Sequence, residues 1–343
     1  SSRGWTDDMR IKPDVVAPGE EIISTGPDSE DQYMLTSGTS MANPNVAGQA
    51  AVVVEWYKDN FGKRPSPALV KSILINTAYD LDESKGNTDP IPNKDEGWGM
   101  VDISKLEYPK EDPVQFRFID QPVNIKTGEE KEYVVSPEDV DKPLKITLTW
   151  TDKEANPGDN ITLKNDLNLE VISPSGEVYK GNAFDNDGDN VSENGYSYPD
   201  TDAMRTFDTS GDGWDNINNV ENVYISPKDV EFGAYTVRVK GHNIPADSDN
   251  DGQADQDFAV TAYNVQSEPT KDGEIQINKN EYRESQEVKI KLADMDLKGE
   301  GTYEINITSI DEEGNLLDEE WITLKEQQGK GIFLGSIATT MNV

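Results

Sequence analysis

Two groupings of residues in this chain have types and spacing that suit chemistry. The first is Gly38-Thr39-Ser40-Met41-Ala42-Asn43-Pro44-Asn45-Val46-Ala47-Gly48, a serine set among small residues at the start of an apolar helical pattern. A helix N-terminus leaves its first N–H groups without intrahelical acceptors, and its dipole favours negative charge. An oxyanion forming beside Ser40 would meet oriented donors there. Ser40 is therefore the candidate nucleophile. A capping role for Thr39 or Ser40 is the simpler alternative. Nucleophilic attack also needs a proton acceptor. The one histidine, His242, lies far downstream in a stretch that reads as all-β, where a surface loop position suits it better than a catalytic one.

The second grouping is acidic. Asp185-Asn186-Asp187-Gly188-Asp189 places carboxylates at every second position. Asp247-Ser248-Asp249-Asn250-Asp251-Gly252-Gln253-Ala254-Asp255-Gln256-Asp257 extends the pattern, and Asp208, Asp212 and Asp215 form a third set. Calcium takes several hard oxygen ligands from loops of this kind. In the longest loop Asp247, Asp249 and Asp251 take the first, third and fifth places, with a glycine at the sixth. Gln253 offers a backbone carbonyl, and Asp255 follows at the ninth place. Phe258 stands where an EF-hand has its bidentate acid, and Asp257 falls one place short, so the closure differs. Asp166 and Glu221 are further candidate ligands. Ca2+ is the expected ion, because magnesium demands tighter octahedral geometry. A solvated acidic loop is the alternative for each cluster.

The elements that must hold these groups change character along the chain. Up to residue 107 short apolar strands alternate with helices. Ser66-Pro67-Ala68 begins a helix with a serine cap and proline at its first position, followed by Leu69, Ile73 and Leu74 at helical spacing. From 108 to 267 helical periodicity disappears. Alternating segments such as Leu144-Lys145-Ile146-Thr147-Leu148-Thr149 recur between turn residues, the pattern of an antiparallel, jelly-roll-like sandwich. A third β unit opens near Gly273.

Acidic residues number 67 against 31 lysines and arginines, for a net charge of −36, which argues against a nucleic-acid partner. No apolar run is long enough to read as a membrane span. Without cysteines, disulfides do not staple the fold.

The serine run closely resembles the serine motif of the subtilisin-like serine peptidases, the subtilases. Ser1-Ser2-Arg3-Gly4 and Arg10-Ile11-Lys12-Pro13-Asp14-Val15-Val16-Ala17-Pro18-Gly19 are similar to the segment that precedes that serine in the family. Gly97-Trp98-Gly99-Met100-Val101-Asp102 resembles the turn that closes the catalytic domain. The resemblance implies a C-terminal part of an α/β subtilisin-like domain over 1–107. It also implies a serine endopeptidase whose aspartate and histidine precede the serine. The missing N-terminal part of the same domain would then be this chain's partner, and the chain alone would be inactive.

Asn165-Asp166-Leu167, Pro174-Ser175-Gly176 and Asn219-Val220-Glu221-Asn222-Val223 resemble the calcium-binding C-terminal β-sandwich of secreted alkaline subtilases. Residues 268–343 resemble a partial Ig-like repeat of surface proteins. Protein or peptide substrates and an extracellular, secreted or cell-surface location follow as expectations. The alternative is a non-catalytic calcium-binding surface module with a vestigial peptidase segment.

Overall fold

The computed structural model describes residues 1–27, 29–81, 89–107, 116–188, 192, 194–203, 207–266, 273–278, 286–310, 316–327, 329 and 331–339. The expected junctions at 107/108 and 267/268 border or lie outside these residues. A hairpin of β1 (Ile22–Thr25) and β2 (Tyr33–Thr36) leads directly into helix α1 (Thr39–Phe61). The apolar run at 15–17 forms a single bridge, between Val16 and Met100. Helix α1 is closed by Gly62, whose φ of 71° suits a left-handed cap.

Helix α2 (Pro67–Thr77) forms as its residues dictate. Ser66 accepts the Leu69 N–H at 3.0 Å, and Pro67 occupies the first position, where its missing N–H costs nothing. The short helix α3 spans Ser104–Glu107.

Two four-stranded antiparallel sheets follow. One has the order β3 (Phe116–Ile125), β10 (Gln256–Tyr263), β5 (Leu144–Thr149), β8 (Val220–Ile225). The other has the order β4 (Glu130–Val135), β9 (Tyr235–Asn243), β6 (Asp166–Ile172), β7 (Val178–Lys180). Their facing sides share one apolar core that includes Leu144, Ile146, Leu148, Leu167, Leu169, Val237 and Val260, so the two sheets form a sandwich. Between β6 and β7, Ser173-Pro174-Ser175-Gly176 turns as its composition requires, with Gly176 at φ 97°.

The other side of the first sheet is not solvated. Helix α2 lies across β5 and β10, and Thr147, Thr149 and Thr261 are all fully buried. Ser72 donates to the Thr147 carbonyl at 3.0 Å and to Thr261 Oγ1 at 2.8 Å. Asn76 donates to Thr147 Oγ1 at 3.0 Å and to the Thr261 carbonyl at 3.2 Å. The alternation in β5 therefore marks two buried faces, one apolar and one hydrogen-bonded to a helix.

The last region is a five-stranded antiparallel sheet in the order β11 (Glu274–Ile277), β12 (Glu287–Ala293), β15 (Ile332–Ala338), β14 (Leu316–Glu326), β13 (Thr302–Ile310). Its own small core gathers Ile290, Leu292, Leu324 and Phe333. Lys291 leaves this sheet to donate to Ser136 Oγ at 3.0 Å, and its burial pulls the ammonium pKa down to about 8.

Candidate active site and acidic clusters

Ser40 is the second residue of α1 and is exposed. The cap of the helix is Gly38, at φ 154° and ψ 168°, a region that only glycine enters readily, and no side chain caps the helix. Neither Thr39 nor Ser40 acts as the cap, and the Ser40 hydroxyl is left for other work. The N–H groups of Met41 and Ala42 return to the Gly38 carbonyl at 3.0 and 3.3 Å. Those of Thr39 and Ser40 have no acceptor among the described residues. Pro44, four residues after Ser40, has no N–H to give to the Ser40 carbonyl.

The motif runs that lie apart in sequence meet behind this turn. Gly38 donates its N–H to the Gly19 carbonyl at 2.7 Å, and a Cβ on Gly19 would stand 2.8 Å from the Gly38 carbonyl oxygen. Trp98 donates to the Asp14 carbonyl at 3.0 Å, Val101 donates to the Val16 carbonyl at 3.0 Å, and Val16 donates to the Gly99 carbonyl at 3.0 Å. A Cβ on Gly97 would fall 1.8 Å from the Pro13 carbonyl oxygen, so this position requires glycine. Asp14 is held by Lys71 of α2 at 3.3 Å and by Lys12 at 2.6 Å. Although burial opposes ionisation, those two cations lower its pKa. The 10–19 run is thus a support that joins the serine turn to α2.

His242, at the end of β9, is held by Asp212 at 3.0 Å on the second sheet of the sandwich. It is engaged there, and no hydrogen bond joins it to Ser40.

Among the described residues, the acidic loops differ in what they bring together. Asp247, Asp249, Asp251 and Asp255 each direct a carboxylate oxygen into one group whose members lie within 4.8 Å of one another. The loop curls because Asp247 accepts the N–H groups of Asn250 at 2.6 Å and Gly252 at 2.8 Å, with Asn250 at φ 65° and Gly252 at φ 95°. Asn124 bridges Asp249 and Asp255 at 3.0 and 2.9 Å. The Gln253 side-chain oxygen accepts from Lys126 Nζ. Asp257 stays outside the group, taking a bond from Gln256 at 2.9 Å.

The set at 208–215 does not converge. Asp208 accepts the N–H groups of Gly211 at 2.6 Å and Gly213 at 2.7 Å. Asp212 is paired with His242. Asp215 is buried and accepts four bonds, from Ile217, Asn182 and twice from Asn218. In the 185–189 loop Asp185 is buried and accepts the Asp187 and Gly188 N–H groups at 3.0 and 2.7 Å, Asp187 is exposed, and Asp189 lies outside the described residues.

Of two further carboxyl groupings the first was not foreseen from the sequence, and the second joins Asp215 to the expected candidates Asp166 and Glu221. Glu96 and Asp80 hydrogen-bond each other beneath the Gly97 turn, and burial raises both pKa values. Within the sandwich, burial and the charge of Asp215 raise Asp166 to about 8 and hold Glu221 well above the carboxylate range. Burial also raises Asp215 to about 6.

An exposed hydroxyl on the first turn of a helix, beside unpaired amides, is the arrangement the sequence reading expected of a serine nucleophile. Residues 1–99 match the family model described as the subtilase family. The serine protease/ABC transporter B family protein tagA of Dictyostelium discoideum is 32% identical over 280 residues, covering 71% of this chain and 14% of that protein. Subtilisin-like protease SBT1.5 of Arabidopsis thaliana is 36% identical over 118 residues, 29% of this chain and 14% of its own length. The C5a peptidase of Streptococcus pyogenes is 38% identical over 111 residues, 31% of this chain and 9% of that protein. The chain thus spans a small part of each relative. These likenesses support a serine-type peptidase function for the region around Ser40. Among solved structures, a DUF4785 family protein of Legionella pneumophila covers 78% of this chain and 59% of its own, at 10% identity and a TM-score of 0.19, too low to bear on the fold.

Proposed function

We propose that this chain is the serine-bearing portion of an extracellular subtilisin-like endopeptidase that cleaves protein or peptide substrates. Ser40 Oγ attacks the scissile carbonyl, and the amides at the start of α1 receive the oxyanion. The histidine base and its aspartate come from another portion of the peptidase domain, since His242 is committed to Asp212. The observation that carries this reading is the exposed Ser40 on an uncapped first turn, inside the stretch that matches the family.

The other portion has a surface to occupy. Of the residues of α1 only Val53 and Tyr57 are buried, and Ile23, Tyr33 and Leu35 of the hairpin are exposed. A groove of about 560 Å³ runs along α1 past Asn45, Gln49, Val52, Trp56 and Tyr79. The sandwich is the calcium-binding accessory domain of this peptidase, with Asp247, Asp249, Asp251 and Asp255 as ligands. An ion bound only by the native state stabilises it by mass action.

The test joins this chain to the rest of its peptidase domain and measures peptide hydrolysis. Ser40→Ala is expected to lower turnover by roughly four orders of magnitude or more. Hydrolysis surviving that change would remove Ser40 from the mechanism. Separately, Ca2+ should raise the melting midpoint over that in chelator, by several degrees at an ion concentration about 100-fold above Kd. Asp249→Asn with Asp251→Asn should erase most of that rise. Identical midpoints with ion and chelator would rule out structural calcium.

A further inference from the structure

An unpaired strand edge offers its N–H and C=O groups to any strand that meets it, so proteins shorten, charge or cover such edges. Strands β1, β2, β7 and β11 have four residues or fewer. Strand β4 carries three charges in six residues. Strand β3 meets the start of α2, where Ser66 donates to Asp120 at 3.0 Å. Strand β8 is buried throughout, and its Asn222 and Tyr224 exchange backbone bonds with Asn182 and Ser197. Among the described residues β13 is the exception. It runs for nine residues at the end of the order β11-β12-β15-β14-β13. Seven of the nine are exposed, none is Lys, Pro or Gly, and the one charge is Glu304.

The alternation of the ladder decides which groups of β13 face outward. Glu326 donates its N–H to the Gly301 carbonyl at 2.8 Å, so that pair is a hydrogen-bonded one. Antiparallel pairs alternate, and the register Thr302↔Lys325 puts Glu304, Asn306 and Thr308 in the pairs without mutual bonds. Their N–H and C=O groups point away from β14. No described strand lies on that side.

We propose that a second copy of this chain occupies this edge, the two β13 strands running antiparallel about a two-fold axis at Asn306. Asn306 then faces its symmetry mate, Glu304 faces Thr308, and Ile305 faces Ile307. About six main-chain hydrogen bonds close, two in each of three pairs. The single charge meets a hydroxyl, so no like charges stand opposite. An axis at Glu304 would set two carboxylates face to face, and one at Thr308 would run past the end of the strand. Ile305 and Ile307, half-buried against the small core of this sheet, gain the partner's isoleucines on the same face. Trp321, opposite Asn306 in the ladder and 70% exposed, stands beside the joint on the other face. The net charge of −36 opposes association at long range. The acids of β14 in the two copies are three strand spacings apart, about 14 Å. That exceeds the Debye length of about 8 Å at physiological salt. Added salt therefore tightens the pair.

The experiment is sedimentation of the full chain up to about 100 μM, a range that detects a micromolar Kd. It is run at about 0.15 and 1 M NaCl, the latter with a Debye length of about 3 Å. A monomer–dimer equilibrium that shifts toward dimer with salt is expected. Asn306→Lys and Thr308→Lys add the same charge two residues apart. Asn306→Lys sets two ammonium groups face to face at the axis and should weaken the dimer about tenfold. Thr308→Lys puts each ammonium opposite Glu304 of the other copy and should tighten it about threefold or more. A general effect of net charge or of folding would not give opposite signs. If Asn306→Lys fails to fold, Thr308→Glu serves instead, and its two carboxylate pairs should weaken the dimer. A chain that stays monomeric at both salt concentrations would overturn the proposal and leave the edge to a different protein. A dimer that both lysines shift in one direction, or leave unchanged, would overturn it too. So would growth beyond the dimer, since one edge per copy closes on itself.

Discussion

Helices α1 and α2 stand next to each other in sequence and differ in how the fold holds them. Helix α2 has 11 residues, eight of them buried, and its polar members Ser72 and Asn76 hydrogen-bond to β5 and β10. Helix α1 has 23 residues and buries two. The longer helix carries the proposed nucleophile, yet the shorter one fastens residues 1–107 to the sandwich. The lesson is that the region bearing chemistry and the region bearing stability are distinct here. The serine helix is presented on a platform made by its neighbours.

Substitutions sharpen or break this contrast. Leu69→Ala on α2, at a fully buried position, should cost about 2–5 kcal/mol, read from chemical denaturation. Asn76→Ala should cost about 1–3 kcal/mol, because the acceptors around Thr147 and Thr261 lose a donor inside the interface. Val52→Ala on α1, at a position 42% exposed, should stay within about 0.5 kcal/mol in this chain. Equal losses at Leu69 and Val52 would end the comparison.

A smaller effect concerns the segment just after α2. Asp80 accepts the Ile91 N–H at 3.3 Å, and Glu96 accepts the Leu81 N–H at 3.0 Å. Burial, ahead of all other influences, raises the pKa of each. A carboxyl whose folded pKa lies above its unfolded value stabilises fully below that unfolded value, about 4. The contribution is then lost as pH climbs through the raised folded value. Stability should therefore fall as pH rises out of the ordinary carboxylate range. Glu96→Gln keeps a donor toward Asp80 and should flatten this dependence, as followed by urea midpoints across pH. An unchanged slope would remove the pair as its source.

Legibility in the sequence followed locality. The cap at Ser66, the turn at Ser173–Gly176 and the strand at 144–149 are set by neighbours in the chain, and all appear where residue patterns place them. The short strand β7 was not legible, since three residues carry too little periodicity. Nor were β13, β14 and β15. For the acidic sets, ligand spacing is enough when one loop wraps its own centre, as at 247–255. At 208–215 the same density of acids disperses, because His242, Asn182 and Asn218 arrive from elsewhere and claim the carboxylates.

By itself the sequence determined that a serine opens a helix, that acids alternate along loops, and that a helical stretch gives way to antiparallel strands. Each of these depends on residues within a turn or two of each other. Tertiary structure alone decided that Thr147, Thr149 and Thr261 lie under a helix, that Asp14 is clamped by Lys71, and that Glu221 meets the backbone of Leu169. Those contacts join residues from distant parts of the chain, and burial sets their energies. Burial is a property of the packed molecule, which no run of neighbouring letters encodes.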